Sequence, residues 1–525
     1  MDKTFNRRQL LKMIGGAAGG AFMYHMMSGL AMANESTFTA PPVLGGAPKG
    51  SKVLILGAGL AGLVSAYELR KAGYEVKLLE FNNRVGGRAW AMHGGDTYTE
   101  LGGFTQKCTF DDGLYINPGP WRVPYHHRAF MHYCREFGVP IETFNGGNNN
   151  TFLHNTESFG GKPQRYRHIF SDYKGHVSEL LSKAVNQDAL DAEVNKETKE
   201  LLLESLRSWG LLDQNFRYTK ATAVAGRGYT TDPGAYNDGI PGNPIGLDDI
   251  LTSSLWETLT LPFSYEYGAS IFQPVGGMDA LPKAMSKSVG DLVVLNARVK
   301  KIIQSDKNVV VTYEDVTNNN QEKTETADWC ICTIPFSILS QLEHNFSQKM
   351  TEGIAAVPYA PSFKAGIQFK RRFWEEDEDI FGGVTFTDLP IGQISYPSTG
   401  YLSKGKGVVL GSYLFGVKAY EFSSLSPEER LKKTMESIVQ IHPQAAKEFD
   451  GGMTMAWHRS PFTLGCYGLW TSETREKYFK TVSTMDGRVV MAGEHISYIP
   501  AWQEGAILSA LEAIRQVNDH ASAKA

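Results

Sequence analysis

The chain predicts an α/β protein of two or three domains, and three observations carry that reading. Residues 52–80, KVLILGAGLAGLVSAYELRKAGYEVKLLE, read as strand, turn, helix and strand. Short apolar, β-branched runs return at 292–295, 299–303, 309–313, 328–333 and 489–491, separated by long stretches of helical period. At 525 residues, 42% of them hydrophobic, the chain is too long for a single core.

In the first stretch, Lys52–Leu56 is a strand. The turn Gly57-Ala58-Gly59-Leu60-Ala61-Gly62 has the spacing G-x-G-x-x-G. Leu60, Leu63, Val64 and Tyr67 then form one apolar stripe at helical spacing, Gly73 stands where a terminating glycine would, and Glu75–Leu79 is a second strand ending at Glu80. This is the pattern of a dinucleotide site. Gly57 makes the tight turn, Gly59 lets a pyrophosphate approach the backbone, Gly62 lets helix and strand pack closely, and Glu80 is placed to accept hydrogen bonds from a ribose diol. Arg84-Val85-Gly86-Gly87-Arg88 follows at once, able to bring backbone and guanidinium to the same pyrophosphate. That tilts the reading from a nicotinamide to FAD.

The formal charge of −4 and the absence of long same-sign runs give no reason to expect nucleic acid. Residues 6–12, NRRQLLK, look like a twin-arginine export signal, and the weakly apolar, glycine-rich stretch after them ends at Ala31-Met32-Ala33, an A-x-A cleavage pattern. Residues 1–33 are therefore expected to be removed, leaving a periplasmic or secreted protein with no stable membrane span. That route carries folded proteins, which suits a cofactor inserted before export. Five cysteines in a long chain with ample core predict no disulfide framework, and Cys330 and Cys332 share one face of a strand.

Further along, residues 115–127 are rich in aromatics and proline, and 168–209 is polar and helical in period. Residues 226–246 are irregular and 247–259 read as another helix, so 130–265 is expected as a helical insertion. Residues 384–395 and 408–415 suggest an antiparallel sheet, Asn318–Asn320 a hairpin tip, Pro427–Ile441 a surface helix, and 505–514 a last helix of small and apolar residues.

Four separated motifs together resemble the flavin amine oxidase family, and within it the L-amino acid oxidases. They are the nucleotide motif with Arg84–Arg88, the passage QPVGGMDAL at 273–281, the strand bearing Val299, and MAGEH at 491–495 followed by AWQEGA at 501–506. The resemblance implies an FAD domain of the Rossmann-like GR2 type assembled from 50–95, 271–335 and 480–525. It also implies a mixed-sheet substrate domain from 96–129 and 336–479. Gly57, Gly59, Ala61, Gly62, Glu80, Arg88, Val299, Gly493, Glu494 and Ala506 would hold FAD, Val299 through its backbone at the adenine and Glu494 at the ribityl chain. The last helix would turn its N-terminus to the flavin.

The same resemblance assigns the substrate side. Arg122, in GPWRVP, matches the arginine that clamps a substrate carboxylate, a task suited to a planar guanidinium. Tyr396 matches a tyrosine making a second bond to that carboxylate. Trp502 and Tyr467 match two aromatics that wall the space over the flavin, and Lys364 a lysine that holds a water there. Leu464-Gly465-Cys466-Tyr467 is similar to the passage by which mitochondrial monoamine oxidases bond a cysteine to the flavin, although Leu464 replaces a glycine. Cys466 is equally readable as a small buried filler.

The reaction implied is FAD-dependent oxidation of an L-α-amino acid to the 2-oxo acid, ammonia and hydrogen peroxide, with molecular oxygen as co-substrate and a homodimer as the assembly. A flavin enzyme for an amine without a carboxylate, a tryptophan 2-monooxygenase-like enzyme yielding an amide, and a flavoprotein that binds without turnover are the alternatives.

Overall fold

The computed structural model describes residues 36–190, 194–260, 262 and 270–524. The expected export signal at 1–33 lies outside the described residues. Among them no helix is long and apolar enough to cross a membrane, and all five cysteines are free thiols.

The nucleotide-side sheet has five parallel strands. Strand β1 (Lys52–Leu56) lies at its centre between β2 (Glu75–Leu79) and Trp329–Cys332, with Val293–Val294 and Val489–Met491 at the edges. Because successive side chains of a strand point to opposite faces, β1 is read by two cores. Val53 and Ile55 pack with helix α1 (Leu60–Lys71), with helix α2 (Arg128–Glu136) and with the C-terminal helix Gln503–Lys524. Leu54 and Leu56 pack against an antiparallel meander of Ala297–Gln304, Val309–Asp315 and Gln321–Ala327. Helices on one face and a meander on the other make the expected Rossmann-like unit. Asn319 and Asn320 turn the meander's hairpin with positive φ.

The second sheet has seven strands in the order Gln164–Arg165, Phe152–His154, Val384–Thr387, Gln393–Ser395, Gly407–Phe415, Ser362–Phe369, Phe449–Ala456. It is mixed, since Val384–Thr387 runs parallel to Phe152–His154 and the remaining pairs are antiparallel. Helix α3 (Pro427–Ile441) packs on one face. It starts with proline and a capping box in which Ser426 and Glu429 satisfy each other's backbone N–H groups.

The stretch 130–265, expected as a helical insertion, carries strands as well as helices. Tyr166–Asn186 and Lys196–Gly210 are helices as expected. However, α2 buries Phe130, Tyr133 and Cys134 in the nucleotide-side core, and Phe152–His154 and Gln164–Arg165 complete the seven-stranded sheet. Strands of two or three residues are too short to show alternation, so nothing in the pattern announces them. Within 336–479, the helices Gln348–Ala355 and Ser472–Val482 pack behind the nucleotide-side meander through Met350, Ile354 and Val482.

One buried ion pair joins the sheets' surroundings. Arg430 of α3 meets Glu100 with two hydrogen bonds of 2.6 and 3.0 Å, and Arg459 approaches the same carboxylate at 3.2 Å. The side chains of Arg430 and Glu100 are both 0% exposed. Removing one partner strands the other in a dry interior. Glu100→Gln should therefore destabilise the fold by about 3 kcal/mol or more, read as a lowered midpoint of urea unfolding with the spectrum of the folded protein intact.

Candidate active site

A cavity of about 650 Å³ runs from the turn after β1 to the N-terminus of the C-terminal helix. Its nucleotide end is built from backbone. Gly57 has φ +100°, and a Cβ on Gly62 would lie 1.9 Å from the Gly57 carbonyl, so neither position admits a side chain without displacement. Helix α1 begins at Leu60 with no side-chain cap and no acid in its first turn. Its first N–H groups are thus left for a ligand, and a Cβ on Gly59 would meet nothing within 4 Å. Gly86 donates to the Ala58 carbonyl at 2.8 Å, laying the Arg84–Arg88 loop against the turn backbone to backbone.

Glu80 stands at the wall of this end. Its Oε2 accepts the Ala58 N–H at 2.6 Å and its Oε1 accepts the backbone and side-chain N–H of Asn82, which fixes the carboxylate's direction. Val299 lines the cavity from the meander, where the register slips between Val299 and Lys301 and leaves one residue unmatched. Arg84 behaves differently from Arg88. It stacks over Trp90 at 3.9 Å and is absent from the cavity wall, and burial lowers its pKa to about 10.

At mid-length Arg88 pairs with Glu494 at 2.7 Å and donates to the Cys466 carbonyl at 2.7 Å. The second oxygen of Glu494 accepts the Ala501 N–H at 3.0 Å. Gly493, with φ +130°, donates to Ser509 of the C-terminal helix at 2.8 Å. Ala61, Gly493, Glu494 and Ala506 all line the cavity.

The far end is aromatic. Arg122 is 6% exposed and lies over the rings of Trp502 at 5.1 Å and Trp121 at 5.6 Å. Tyr467 lines the cavity too, its ring 6.3 Å from that of Phe415. Lys364, 2% exposed, stands one layer behind the wall, its ammonium donating to the carbonyls of Gly119 at 2.6 Å and Asn117 at 3.2 Å. It is not among the residues that line the cavity. Burial lowers its pKa to about 7, and Arg122 pushes the same way.

Tyr396 departs from its expected place. Its hydroxyl is 2.6 Å from His442 Nε2 and 2.9 Å from the Thr385 hydroxyl, in the core on the far side of the sheet, and it does not line the main cavity. A tyrosine of the same sheet that does line it is Tyr413, packed edge-on against Trp121 at 5.9 Å, with the Lys364 ammonium 4.2 Å from its ring centre. Tyr413 and Phe415 alternate along the strand Gly407–Phe415, and that i, i+2 aromatic pair was the available signal. His127 and Gln503 also line this end, each with a buried polar atom, Nε2 and Oε1, that has no hydrogen-bond partner among the described residues. Burial and the nearby Arg122 and His126 hold the His127 imidazole well below its ordinary pKa and therefore neutral.

A dinucleotide fits these observations: an uncapped helix N-terminus beside bare glycine, an oriented acid at one end, and orphaned polar groups at the other. A family profile described as flavin containing amine oxidoreductase matches residues 60–518. The L-amino-acid oxidase of Siganus canaliculatus is 27% identical over 89% of this chain and 85% of its own length. That of Pseudechis australis is 28% identical over 89% and 86%. YobN of Bacillus subtilis (strain 168) is 28% identical over 89% and 94%. Among solved structures, putrescine oxidase bound to putrescine superposes with a TM-score of 0.56 at 18% identity, covering 90% of this chain and 99% of that one. Cyclohexylamine oxidase from Brevibacterium oxydans IH-35A gives 0.59 at 15%, covering 90% and 99%.

The buried lysine sets a pH test. The folded state holds Lys364 with a pKa of about 7 against about 10.4 unfolded, so between those values the unfolded chain binds more protons. The cost of burying the ammonium is complete below pH 7 and is relieved as pH rises toward 10. The melting temperature of the wild type relative to Lys364→Met should therefore rise from pH 7 to pH 10, on the order of a few degrees; a difference that is flat with pH would contradict the shift.

Proposed function

The chain belongs to the flavin-containing amine oxidoreductases, and from that footing we propose that it oxidises an L-α-amino acid to the 2-oxo acid, ammonia and hydrogen peroxide. FAD, when bound, supplies the two-electron acceptor. The observation that carries the choice of substrate is Arg122, a buried guanidinium at the aromatic end of the cavity. A carboxylate meets such a group with two parallel hydrogen bonds, which fixes the neighbouring Cα.

Electrostatics favour the same class. Of the carboxylates on the described wall, Glu80 is oriented by Ala58 and Asn82, and Glu494 is paired with Arg88. The second cation of a diamine would thus meet a guanidinium, while an α-carboxylate offsets that charge. Trp502 and Tyr467 exclude water and leave room for a neutral amine between flat faces. Tyr413 takes the place given to Tyr396 as the hydroxyl beside the carboxylate. His127, kept neutral, adds no second cation there. Export by the twin-arginine route and a homodimer belong to this proposal as well.

The discriminating experiment is hydrogen peroxide release from L-amino acids and from their decarboxylated amines. Wild type should turn over the amino acid and reject the amine. Arg122→Ala should lose about 10²–10³-fold in kcat/KM for the amino acid while keeping FAD. An unchanged ratio between the two substrates would remove Arg122 from the role and with it the case for an amino acid.

Cys466 provides a separate check. Its thiol lines the cavity, but burial pushes its pKa up, against the pull of Lys364 and Arg88, and it hydrogen bonds to Ser362. A protonated, engaged thiol is a poor nucleophile. Acid precipitation should leave a colourless pellet, a yellow supernatant and a chain of unmodified mass; a chain heavier by one FAD would show a covalent bond.

A further inference from the structure

Two chain segments remote in sequence meet at the aromatic end of the cavity. Arg122, His127 and Phe130 come from the passage that leads into α2, and Trp502, Gln503 and Ala506 from the start of the C-terminal helix. The segments touch edge to face, the His127 ring standing 4.9 Å from that of Trp502. Helix α2 begins against the usual preference. Its N-cap residue is His127, whose side chain makes no capping bond, although Ser, Thr, Asp and Asn are the residues suited to that position. The two N–H groups that a local cap would serve, those of Ala129 and Phe130, are taken instead by the carboxylate of Glu504, at 2.9 and 2.8 Å.

Glu504 belongs to the first turn of the C-terminal helix, is 0% exposed and does not line the cavity. Ser36 hydrogen bonds to the same carboxylate, and Phe38, two residues on, lies 5.2 Å from His132 of α2, ring to ring. A cap supplied from a distance frees the N-cap position for an imidazole on the cavity wall, a side chain that could not cap the helix as well as Asp or Ser. It also ties the start of α2 to the start of the C-terminal helix. Two charge-assisted bonds from one carboxylate to successive backbone N–H groups fix both distance and direction, and the negative charge suits the positive end of α2.

We propose that Glu504 is a positioning residue for the substrate: by capping α2 from the C-terminal helix it sets the gap between His127 and Trp502 and, through the passage 119–127, the place of Arg122 beside that gap. This rests on the reading of the aromatic end as the place of the substrate, though not on which amine or amino acid it receives. Ser36 and Phe38 brace the arrangement from behind. Neither Glu504 nor Ser36 lines the cavity, so both act through the side chains they hold.

Glu504→Gln tests it, because the variant keeps the shape of the side chain but turns an amide N–H₂ toward one of the two backbone donors. In its crystal structure the His127–Trp502 separation of 4.9 Å should grow by about 1 Å. In anaerobic stopped flow the concentration of L-amino acid that half-saturates flavin reduction should rise on the order of tenfold. FAD bound per chain, and reoxidation by dioxygen of holoenzyme reduced with dithionite, should match wild type. Ser36→Ala should give a smaller effect in the same direction and covers the case in which Glu504→Gln does not fold. An unchanged ring separation would overturn the proposal, as would loss of FAD and of reoxidation in step with the substrate effect, which marks a general loss of fold. Failure of the amino-acid assignment has a different signature, a wild-type flavin that no L-amino acid reduces, and the ring separation then still decides the role of Glu504.

Discussion

The carboxylate of Glu494 is the point from which the site is assembled. It accepts Arg88 Nη1 and the N–H of Gly468 on one oxygen and the N–H of Ala501 on the other. Those partners come from the loop after the nucleotide turn, from the strand-to-helix passage near Cys466, and from the entrance to the C-terminal helix. Three segments remote in sequence are thus held at one anion, buried beside the mid-length of the cavity. A buried pair of this kind adds little net stability when made but costs about 3–5 kcal/mol when half of it is removed. Its value is positional: it fixes where the nucleotide end stops and the aromatic end begins.

The same logic operates at Lys364. An ammonium 2% exposed is expensive, and two carbonyl acceptors offset only part of that cost. The outcome is the pKa of about 7 and a loop whose carbonyls at Asn117 and Gly119 are fixed from behind. Arg122 and Trp121 ride on the next residues of that loop. A lysine that does not touch the cavity therefore decides where the guanidinium stands, and its charge and that of Arg122 are coupled across the wall.

What was legible in the sequence follows from how local each signal is. The turn Gly57–Gly62, the helix after it and Pro427–Ile441 are written in caps and spacing, and the structure places them where those signals fall. Phe152–His154 and Gln164–Arg165 form strands only because the sheet edge is there to receive them. Tyr396 and Tyr413 differ in a way no local pattern records. Both lie on or beside strands of one sheet, and a strand's two faces are told apart only by what the sheet packs against. Tyr396 faces His442 and the helix α3 side, and Tyr413 faces Trp121. Residue type without knowledge of the face pointed to Tyr396, which the main cavity does not reach, whereas Arg122, Trp502 and Tyr467, named by motif, line it.

In a fold shared with putrescine and cyclohexylamine oxidases, chain topology separates the elements that hold the dinucleotide from those that line the other end of the cavity. The elements that hold the dinucleotide are backbone turns and a helix end, which any sequence preserving Gly57, Gly59 and Gly62 can supply. The groups that would choose the substrate sit on the irregular passage 119–127 and on one strand of the other sheet, Gly407–Phe415. Changing a single side chain there alters the sign of the charge that the ligand meets, with no consequence for the nucleotide end. Arg122 is such a side chain, packed between two indoles that hold it in place whatever enters. A guanidinium at that spot would, by its sign, disfavour a second cation and favour an anion, which is how one side chain can bear on the choice of ligand without touching the nucleotide end.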